Sequence, residues 1–238
     1  MNTNRIKYLI IPFLVVAFMQ TLTYWGNQWY AEANNIIGMD YSFFFLEFNR
    51  IVPFLPWTVY IYVLAFPFWI GAFFYIGYRS KRNMYTILTL ILITFTIAGL
   101  SYLFFQTDVQ AWRETSGLFG STDLNFTERF VMFIYGSAGA RNANPSMHCI
   151  MSWLAVLGAR MDKKMPRIAR IIIWGLGVGI CISTQTMKQH YIIDLITGVG
   201  LVEAFYWLVK GSKLVVKVEN FFTKINQKLN IDWNQSLE

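Results

Sequence analysis

Two histidines and one aspartate are the residues most able to do chemistry in a chain that is otherwise rich in apolar side chains. The only two histidines are His148, in NANPSMHCIMSW, and His190, in STQTMKQHYIID. Asp194 follows His190 by four residues, a spacing that puts two side chains on one face of a helix. Its carboxylate could then accept a hydrogen bond from one ring nitrogen and leave the other free as nucleophile, base or ligand.

His148 stands at the predicted start of an apolar helix. Asn144 and Pro145 are suitable as the N-cap and the first helical residue, which places Ser146 and His148 in the first turn. Backbone N–H groups in a first turn lack partners and the helix dipole is positive there, so a phosphate could bind at this position.

Two histidines, an aspartate and several cations fit phosphoryl transfer best. One histidine would attack phosphorus, the carboxylate would orient that histidine, and the second histidine would protonate the leaving oxygen. A metal site is the rival interpretation, but two histidines and one aspartate without another acidic residue nearby are a poor ligand set. An interfacial position is the simpler interpretation for either histidine alone, whereas the pair favours a functional one.

Long apolar runs must position these residues. Of the 238 residues, 55% are hydrophobic and 14% are charged, and about 20 apolar residues in a helix cross a bilayer core. The sequence predicts an all-α polytopic membrane protein with six transmembrane helices in one domain, residues 1–210. The predicted spans are Tyr8–Trp25, Pro53–Tyr78, Met84–Phe105, Pro145–Gly158, Ile171–Met187 and Leu195–Val209.

Three other segments are predicted to lie outside the spans. Residues 211–238 form a cytoplasmic tail whose apolar residues recur at helical spacing, which predicts an amphipathic helix. Residues 38–57 are too broken by charge and proline to span and are expected at the interface. Residues 106–144 form the longest connection, and loops of this length are usually functional or disordered.

The distribution of positive charge predicts the orientation. The net charge is +7, and six spans with a cytoplasmic N-terminus place fifteen basic residues inside and five outside. This bias predicts a plasma membrane protein with both termini in the cytoplasm and both histidines at the outer face, and the short loops suit a bacterial membrane. The excess charge would face anionic lipid, and nothing indicates nucleic acid as a partner.

The motifs resemble those of the type 2 phosphatidic acid phosphatase superfamily over about residues 106–200. NPSMH is similar to the Pro-Ser-x-His motif of that family, and STQTMKQHYIID to its Ser-Arg-x5-His-x3-Asp motif. The resemblance implies that His190 forms a phosphohistidine, that Asp194 orients it, and that His148 acts as general acid and then base. It also implies that Ser146 helps to bind phosphate and that no metal or other cofactor is needed. FNRIVPFLPWTVYIY and HYIID further resemble the branch that includes inositol phosphorylceramide and sphingomyelin synthases.

The chain departs from that family in its positive charge. Thr184 stands where the family usually has arginine, and the sequence contains no Lys-x6-Arg-Pro motif. Losing one donor to a transition state of this kind typically costs on the order of 10² to 10³ in rate. Arg113, Arg141 and Lys188 are the candidate replacements, and with Ser146 and Thr184 they form the predicted substrate-binding set. Each cation could equally be an ordinary interfacial residue.

Three functions follow from these observations. The leading hypothesis is a membrane lipid phosphatase that hydrolyses a lipid phosphomonoester or diphosphate. The second keeps the same histidines but transfers the phosphoryl-containing group to an alcohol. The third is a lipid-binding or transport protein with a degenerate site, which the missing arginine and the missing first motif favour. The expected partners are a lipid phosphate and membrane lipids.

Overall fold

The protein is a bundle of helices, seen in a computed structural model that describes residues 3–233. Within this range two isolated β-bridges occur but no β-strand. The helices are α1 (Asn4–Ala33), α2 (Leu46–Ile51), α3 (Pro56–Arg79), α4 (Lys81–Phe104), α5 (Gln110–Glu114), α6 (Phe126–Ala138), α7 (Met147–Met161), α8 (Arg167–Thr186), α9 (Ile192–Val209) and α10 (Lys213–Lys228).

Five of these helices, α1, α3, α4, α8 and α9, are long and apolar enough to cross a membrane. They correspond to five of the six predicted spans, so the predicted all-α polytopic membrane fold is confirmed. The predicted fourth span is α7, which has 15 residues and is therefore about 22 Å long. Since α7 packs against α3, α4, α8 and α9, neighbouring helices rather than lipid cover most of its surface.

Both histidines lie where α7 and α9 begin, and we call this end of the bundle the histidine end. Residues 106–144, predicted to be either functional or disordered, are ordered here and carry α5 and α6. A capping box between Asn125 and Glu128 starts α6. The Tyr135 hydroxyl of α6 donates to the Met187 carbonyl at 2.7 Å, which ties this connection to the turn before α9.

Residues 38–57 also cover the histidine end. Asn49 of α2 is buried, and its side-chain oxygen accepts a hydrogen bond from the backbone N–H of Ile192 at 3.1 Å. Phe43, Phe44 and Phe48 around it are exposed. The position of this segment at the membrane interface stays a prediction.

The predicted amphipathic helix of the tail is α10, and it packs against α1 and α4. Val215 and Phe222 are buried in the main core, and the Tyr8 hydroxyl lies 2.7 Å from Thr223 Oγ1. Other apolar residues of the helix, including Phe221, stay exposed. One side of α10 is thus part of the bundle. The division into domains 1–210 and 211–238 stays a prediction, and residues 1–2 and 234–238 lie outside the described range.

Helices α7 and α9 approach each other closely at the histidine end. A Cβ atom added at Gly198 of α9 would lie 2.9 Å from the Ser146 carbonyl oxygen and 3.1 Å from Cys149 Cβ. The Ser146 N–H donates to the Asp194 carbonyl at 3.1 Å in the same contact. Only glycine permits this spacing, because any side chain at position 198 would push the two helices apart.

We therefore expect Gly198→Ala to lower the free energy of unfolding by about 1–3 kcal/mol, the usual cost of overpacking. Gly200→Ala is the matched control, since a Cβ atom there meets nothing within 4 Å. Thermal unfolding of the detergent-solubilised protein measures both. Equal melting temperatures for the two variants would show that the α7/α9 contact is not as tight as described.

Candidate active site

Asp194, in the first turn of α9, lies beside His190. The carboxylate is fully buried; Oδ2 accepts the Tyr191 N–H at 2.9 Å, and Oδ1 accepts a hydrogen bond from the Asn144 side chain at 3.0 Å. His190 Nδ1 lies 3.4 Å from Oδ2 and 3.0 Å from the Ala143 carbonyl oxygen. A carbonyl oxygen can only accept, so Nδ1 carries the proton, and in the neutral ring Nε2 keeps its lone pair.

The predicted pairing of His190 with Asp194 is present, but the reason given for it is wrong. His190 lies in the turn before α9 and not on the helix, so the two residues do not share a helical face. Asp194 is instead the third residue of α9, and its carboxylate reaches back to the N–H of Tyr191 at the N-cap. An acidic side chain at this position is stabilised by the unpaired N–H groups and by the helix dipole.

The predicted cap of α7 is also wrong by two residues. Ser146, not Asn144, is the N-cap, and its hydroxyl accepts the Cys149 N–H at 3.3 Å. Asn144 precedes the helix, where its side chain binds both Asp194 and Thr197, the latter at 3.0 Å. The Asn144 amide thus donates to the buried Asp194 carboxylate, a charge-assisted hydrogen bond, and the Ser146 hydroxyl accepts the first-turn N–H instead.

His148 is the second residue of α7 and is surrounded by aromatic rings. Its imidazole stacks on Tyr62, with ring centroids 4.2 Å apart, and meets Trp69 edge-on at 5.0 Å. Phe66 lies 6.0 Å away. The side chain is only 8% exposed, and its Nε2 atom is buried without a hydrogen-bond partner. The three aromatic residues fix the plane of the ring and leave Nε2 without a hydrogen-bond partner.

The structure brings the two histidines together. Their ring centroids are 6.2 Å apart and the ring planes are tilted by 54°. A reacting atom lies about 3–3.5 Å from its nucleophile, and a leaving oxygen lies about 3 Å from the acid that protonates it. The two rings are therefore near enough for both to contact one bound phosphoryl group.

Arg113 is a predicted cation that contacts the residue next to His190. It is buried, and its guanidinium donates to the carbonyls of Tyr135 and Gly139 and to the side-chain oxygen of Gln189, the residue before His190. Burial lowers the pKa of Arg113 from its usual high value, but arginine stays charged at neutral pH. It thus brings positive charge next to the histidine turn.

Two other predicted cations are engaged by the scaffold. Arg141 donates through Nε to the Ile36 carbonyl at 3.0 Å. The Lys188 ammonium donates to the Val52 carbonyl at 2.5 Å and lies 3.6 Å from the centre of the Trp112 ring. Burial lowers the pKa of Lys188 to about 8, so the amine still carries its charge at neutral pH.

Ser146 and Thr184 complete the predicted substrate-binding set, and both are fully buried. The Thr184 hydroxyl donates to the Cys181 carbonyl at 2.8 Å, while its own carbonyl accepts the N–H groups of Gln189 and His190. Each hydroxyl is thus hydrogen-bonded to a backbone group near the end of a helix. In this arrangement they shape the turns that carry the histidines, and phosphate binding by either side chain stays a prediction.

Gln189 and three aromatic residues of the site region were not singled out from the sequence, whereas Arg113 was. Gln189 Nε2 and Arg113 Nε are buried without partners, and buried unpaired donors of this kind are rare in proteins. Gln189 lies within the KQHYIID motif. A polar residue next to a candidate catalytic histidine in so apolar a sequence could have indicated its role. Tyr62, Phe66 and Trp69 recur at intervals of four and three residues, an aromatic stripe that the sequence also displays.

A cavity of about 120 Å³ opens beside His148, and we call it the histidine cavity. Its walls come from α1, α3, α6 and the start of α7, and include Tyr24, Trp25 and Ser137. Residues Thr21–Gly26 of α1 form a π-helical turn, and such turns are frequent at functional sites. The turn supplies Tyr24 and Trp25, which form one side of the cavity.

The histidine cavity continues into a groove between α1 and α3 with a volume of about 290 Å³. We call it the α1/α3 groove. Four residues line both spaces: Gln20, Trp25, Phe66 and Trp69. Further along, the groove is lined mainly by apolar side chains, and Ile70 on its wall is 47% exposed. The groove therefore connects His148 with the lipid-facing surface of the bundle.

Fold and site region together define a polytopic helical membrane protein with paired histidines at one end of the bundle. A family model described as PAP2 superfamily matches residues 29–208, so the chain belongs to the PAP2 superfamily. The family inferred from the motifs is thereby confirmed, and its members are generally phosphatases. The finer resemblance to the synthase branch stays a prediction. Neither the curated proteins nor the solved structures give a significant match.

No group of three or more His, Cys, Asp or Glu side chains converges as a metal site in the described part of the chain.

We expect Asn144→Ala to lower the free energy of unfolding by about 1–3 kcal/mol, because the buried Asp194 carboxylate loses one of its donors. Thr197→Val is the matched control, since it removes the other partner of Asn144 and leaves the bond to Asp194 in place. Thermal unfolding in detergent compares the two variants. A larger loss for Thr197→Val would contradict the importance assigned to the Asn144–Asp194 bond.

Proposed function

We propose that the protein is a lipid phosphatase that works through a phosphohistidine on His190. The observation that carries this proposal is the pairing of His190, oriented through Nδ1 by Ala143 and Asp194, with His148 at 6.2 Å between ring centroids. Membership of the PAP2 superfamily supports the same class of reaction. The lone pair on His190 Nε2 makes this ring the nucleophile of the pair.

The proposed reaction has two steps. In the first, Nε2 of His190 attacks phosphorus, the bond from phosphorus to the lipid oxygen breaks, and that oxygen takes a proton from His148. In the second, His148 removes a proton from water, the resulting hydroxide attacks phosphorus, and the phosphorus–nitrogen bond breaks to release inorganic phosphate. Asp194 stabilises the positive charge that develops on the His190 ring during the first step.

Arg113 and Gln189 are proposed to bind the phosphoryl oxygens. Each has a buried donor without a partner, and they contact each other next to His190. Donors already fixed in the free protein stabilise the charge of a transition state without reorganising. They would replace the arginine that the family usually has at the position of Thr184.

The α1/α3 groove supports a lipid as the substrate. A chain lying in the groove would meet the side chains of Phe66, Ile70 and Phe73 while the phosphate lies beside His148. Gln20 stands at the junction between groove and cavity, and its side-chain oxygen is buried without a partner. It could accept a hydrogen bond from the polar linker of a lipid phosphate.

We further propose that the histidine end faces the outside of a bacterial plasma membrane and that both termini are cytoplasmic. The positive-inside distribution of the sequence supports this orientation. Basic residues accumulate at the opposite end of the bundle, where Arg82, Arg160, Lys163 and Lys210 surround one pocket. The substrate would then be a lipid phosphate of the outer leaflet.

His190→Ala is expected to lower phosphate release from lipid phosphates by about 10⁴-fold or more, because the nucleophile is lost. His148→Ala should lower the same rate of phosphate release by about 10²–10⁴-fold, because the general acid is lost. With radiolabelled p-nitrophenyl phosphate, whose leaving group needs no acid, His148→Ala should retain labelled protein and His190→Ala none. Label that persists in His190→Ala would disprove the proposed nucleophile.

The same assay separates hydrolysis from transfer. Free phosphate and new phospholipid are measured together after incubation with phosphatidic acid, phosphatidylglycerol phosphate and polyprenyl diphosphates. Release of phosphate supports the phosphatase, whereas a new lipid headgroup without free phosphate indicates that an alcohol replaces water in the second step. Activity of neither kind, with wild-type biological function kept by His190→Ala, would favour a non-catalytic lipid-binding protein.

Filling the α1/α3 groove tests the proposed path of the lipid chain. Ala17→Trp should lower kcat/KM for phosphatidic acid by about tenfold or more, because binding of the lipid chain is lost. The kcat/KM for p-nitrophenyl phosphate, which has no lipid chain, should stay within about twofold of the wild-type value. Leu14→Trp is the matched control: Leu14 is exposed on the same helix but does not line the groove. Equal effects of the two variants, or equal losses on both substrates, would refute the path.

A further inference from the structure

A second polar pocket lies at the end of the bundle opposite the histidines. It has a volume of about 560 Å³ and is formed by the start of α4, the end of α7 with the turn that follows, and the end of α9. We call it the basic pocket. Because α7 and α9 begin at the histidine end and finish here, nearly the full length of both helices separates the two sites.

Four cations line the basic pocket, namely Arg82, Arg160, Lys163 and Lys210. They differ in how they are compensated. Arg160 is neutralised by two hydrogen bonds of 2.8 Å to Glu203, and Arg82 lies 3.6 Å from Glu219. Lys163 and Lys210 have no ion pair among the described residues, and no acidic residue lines the pocket. Because Glu219 is shared between Arg82 and Lys81, each at 3.6 Å, the pocket holds an excess of at least two positive charges.

Aromatic side chains complete the walls. Tyr206 is buried below Arg160 and Lys210, at 5.2 Å and 5.5 Å from its ring centre, and Trp207 lies 4.8 Å from the Lys210 ammonium. Trp207 and its neighbour Leu208 are 66% and 71% exposed. An exposed tryptophan beside lysine at the end of a transmembrane helix is placed at the level of lipid headgroups.

The surroundings favour a lipid over a free anion. Trp207 lines the basic pocket and its neighbour Leu208 is exposed as well, so acyl chains can lie against α9 beside the pocket. Asn83 also lines the pocket, and its side-chain amide can donate to phosphate oxygens. Basic pockets between transmembrane helices are suited to the phosphate of anionic lipids, because such a lipid satisfies the charge and the apolar rim together.

We propose that the basic pocket binds the phosphate headgroup of an anionic phospholipid, with Lys163 and Lys210 as its principal cations. The bound lipid bridges α4, α7 and α9 and stabilises their ends. This binding is independent of the chemistry at the histidine end, since no residue is shared between the two sites.

The test uses the full-length protein with His190→Ala, so that turnover consumes no lipid. Native mass spectrometry in detergent measures binding of dioctanoyl phosphatidylglycerol, with dioctanoyl phosphatidylcholine and inorganic phosphate as comparison ligands. Lys163→Gln combined with Lys210→Gln should weaken phosphatidylglycerol binding roughly 30-fold, at about fivefold for each lysine near a lipid surface. Replacing both lysines with arginine should retain binding.

Lys217→Gln combined with Lys224→Gln is the matched control, since both lysines are exposed on α10 outside the basic pocket. This pair should leave the affinity within about twofold. Equal losses in the two double variants would overturn the proposal in favour of a diffuse surface charge. Equal affinity for inorganic phosphate and for phosphatidylglycerol would show a site for a soluble anion instead. Unchanged phosphatidylglycerol binding in the Lys163/Lys210 double variant would exclude the basic pocket as the binding site.

Discussion

A single buried carboxylate joins the three segments that meet at the histidine end. Asp194 belongs to α9, accepts a hydrogen bond from Asn144 in the segment before α7, and lies beside His190 in the turn after α8. A charge in a fully buried position is strongly unfavourable unless such partners surround it. The buried Asp194 carboxylate needs its hydrogen-bond partners and neighbours. This requirement fixes the positions of three segments relative to one another: the segment before α7, the turn after α8 and the start of α9.

The two histidines differ chemically because their surroundings differ. His190 donates through Nδ1 to the Ala143 carbonyl with the Asp194 carboxylate 3.4 Å away, which leaves the lone pair of Nε2 free. His148 has no such polar partner on Nε2 and is held by the stacked ring of Tyr62 and the edge of Trp69. Different environments for two similar groups are a general way to give them different roles, and the proposed nucleophile and acid follow from this difference.

The positive charge beside the histidine turn comes from a residue outside the family motif. Thr184 occupies the usual position of the arginine and binds backbone groups at the end of α8. Arg113 comes from the long connection before α6 and contacts Gln189 beside the histidine turn. The connection is thus more than a cover for the bundle, because it positions a guanidinium that no neighbouring helix supplies.

The sequence by itself determined the helical class, the family, and the two histidines with Asp194 as the candidate site, because long apolar runs and fixed motif spacings are local signals. The ends of the long helices were predicted to within four residues, except that the first helix continues past the predicted Trp25 to Ala33. It could not determine the true cap at Ser146, the role of Asn144, or which cation approaches the histidines. Those depend on competition between partners that are distant in the chain: the Asp194 carboxylate attracts the Asn144 amide away from a helix end, and the carbonyls around Lys188 and Arg141 engage these cations. Only the tertiary structure decides such competitions, since the strength of each contact depends on burial and on which groups the fold brings within hydrogen-bonding distance.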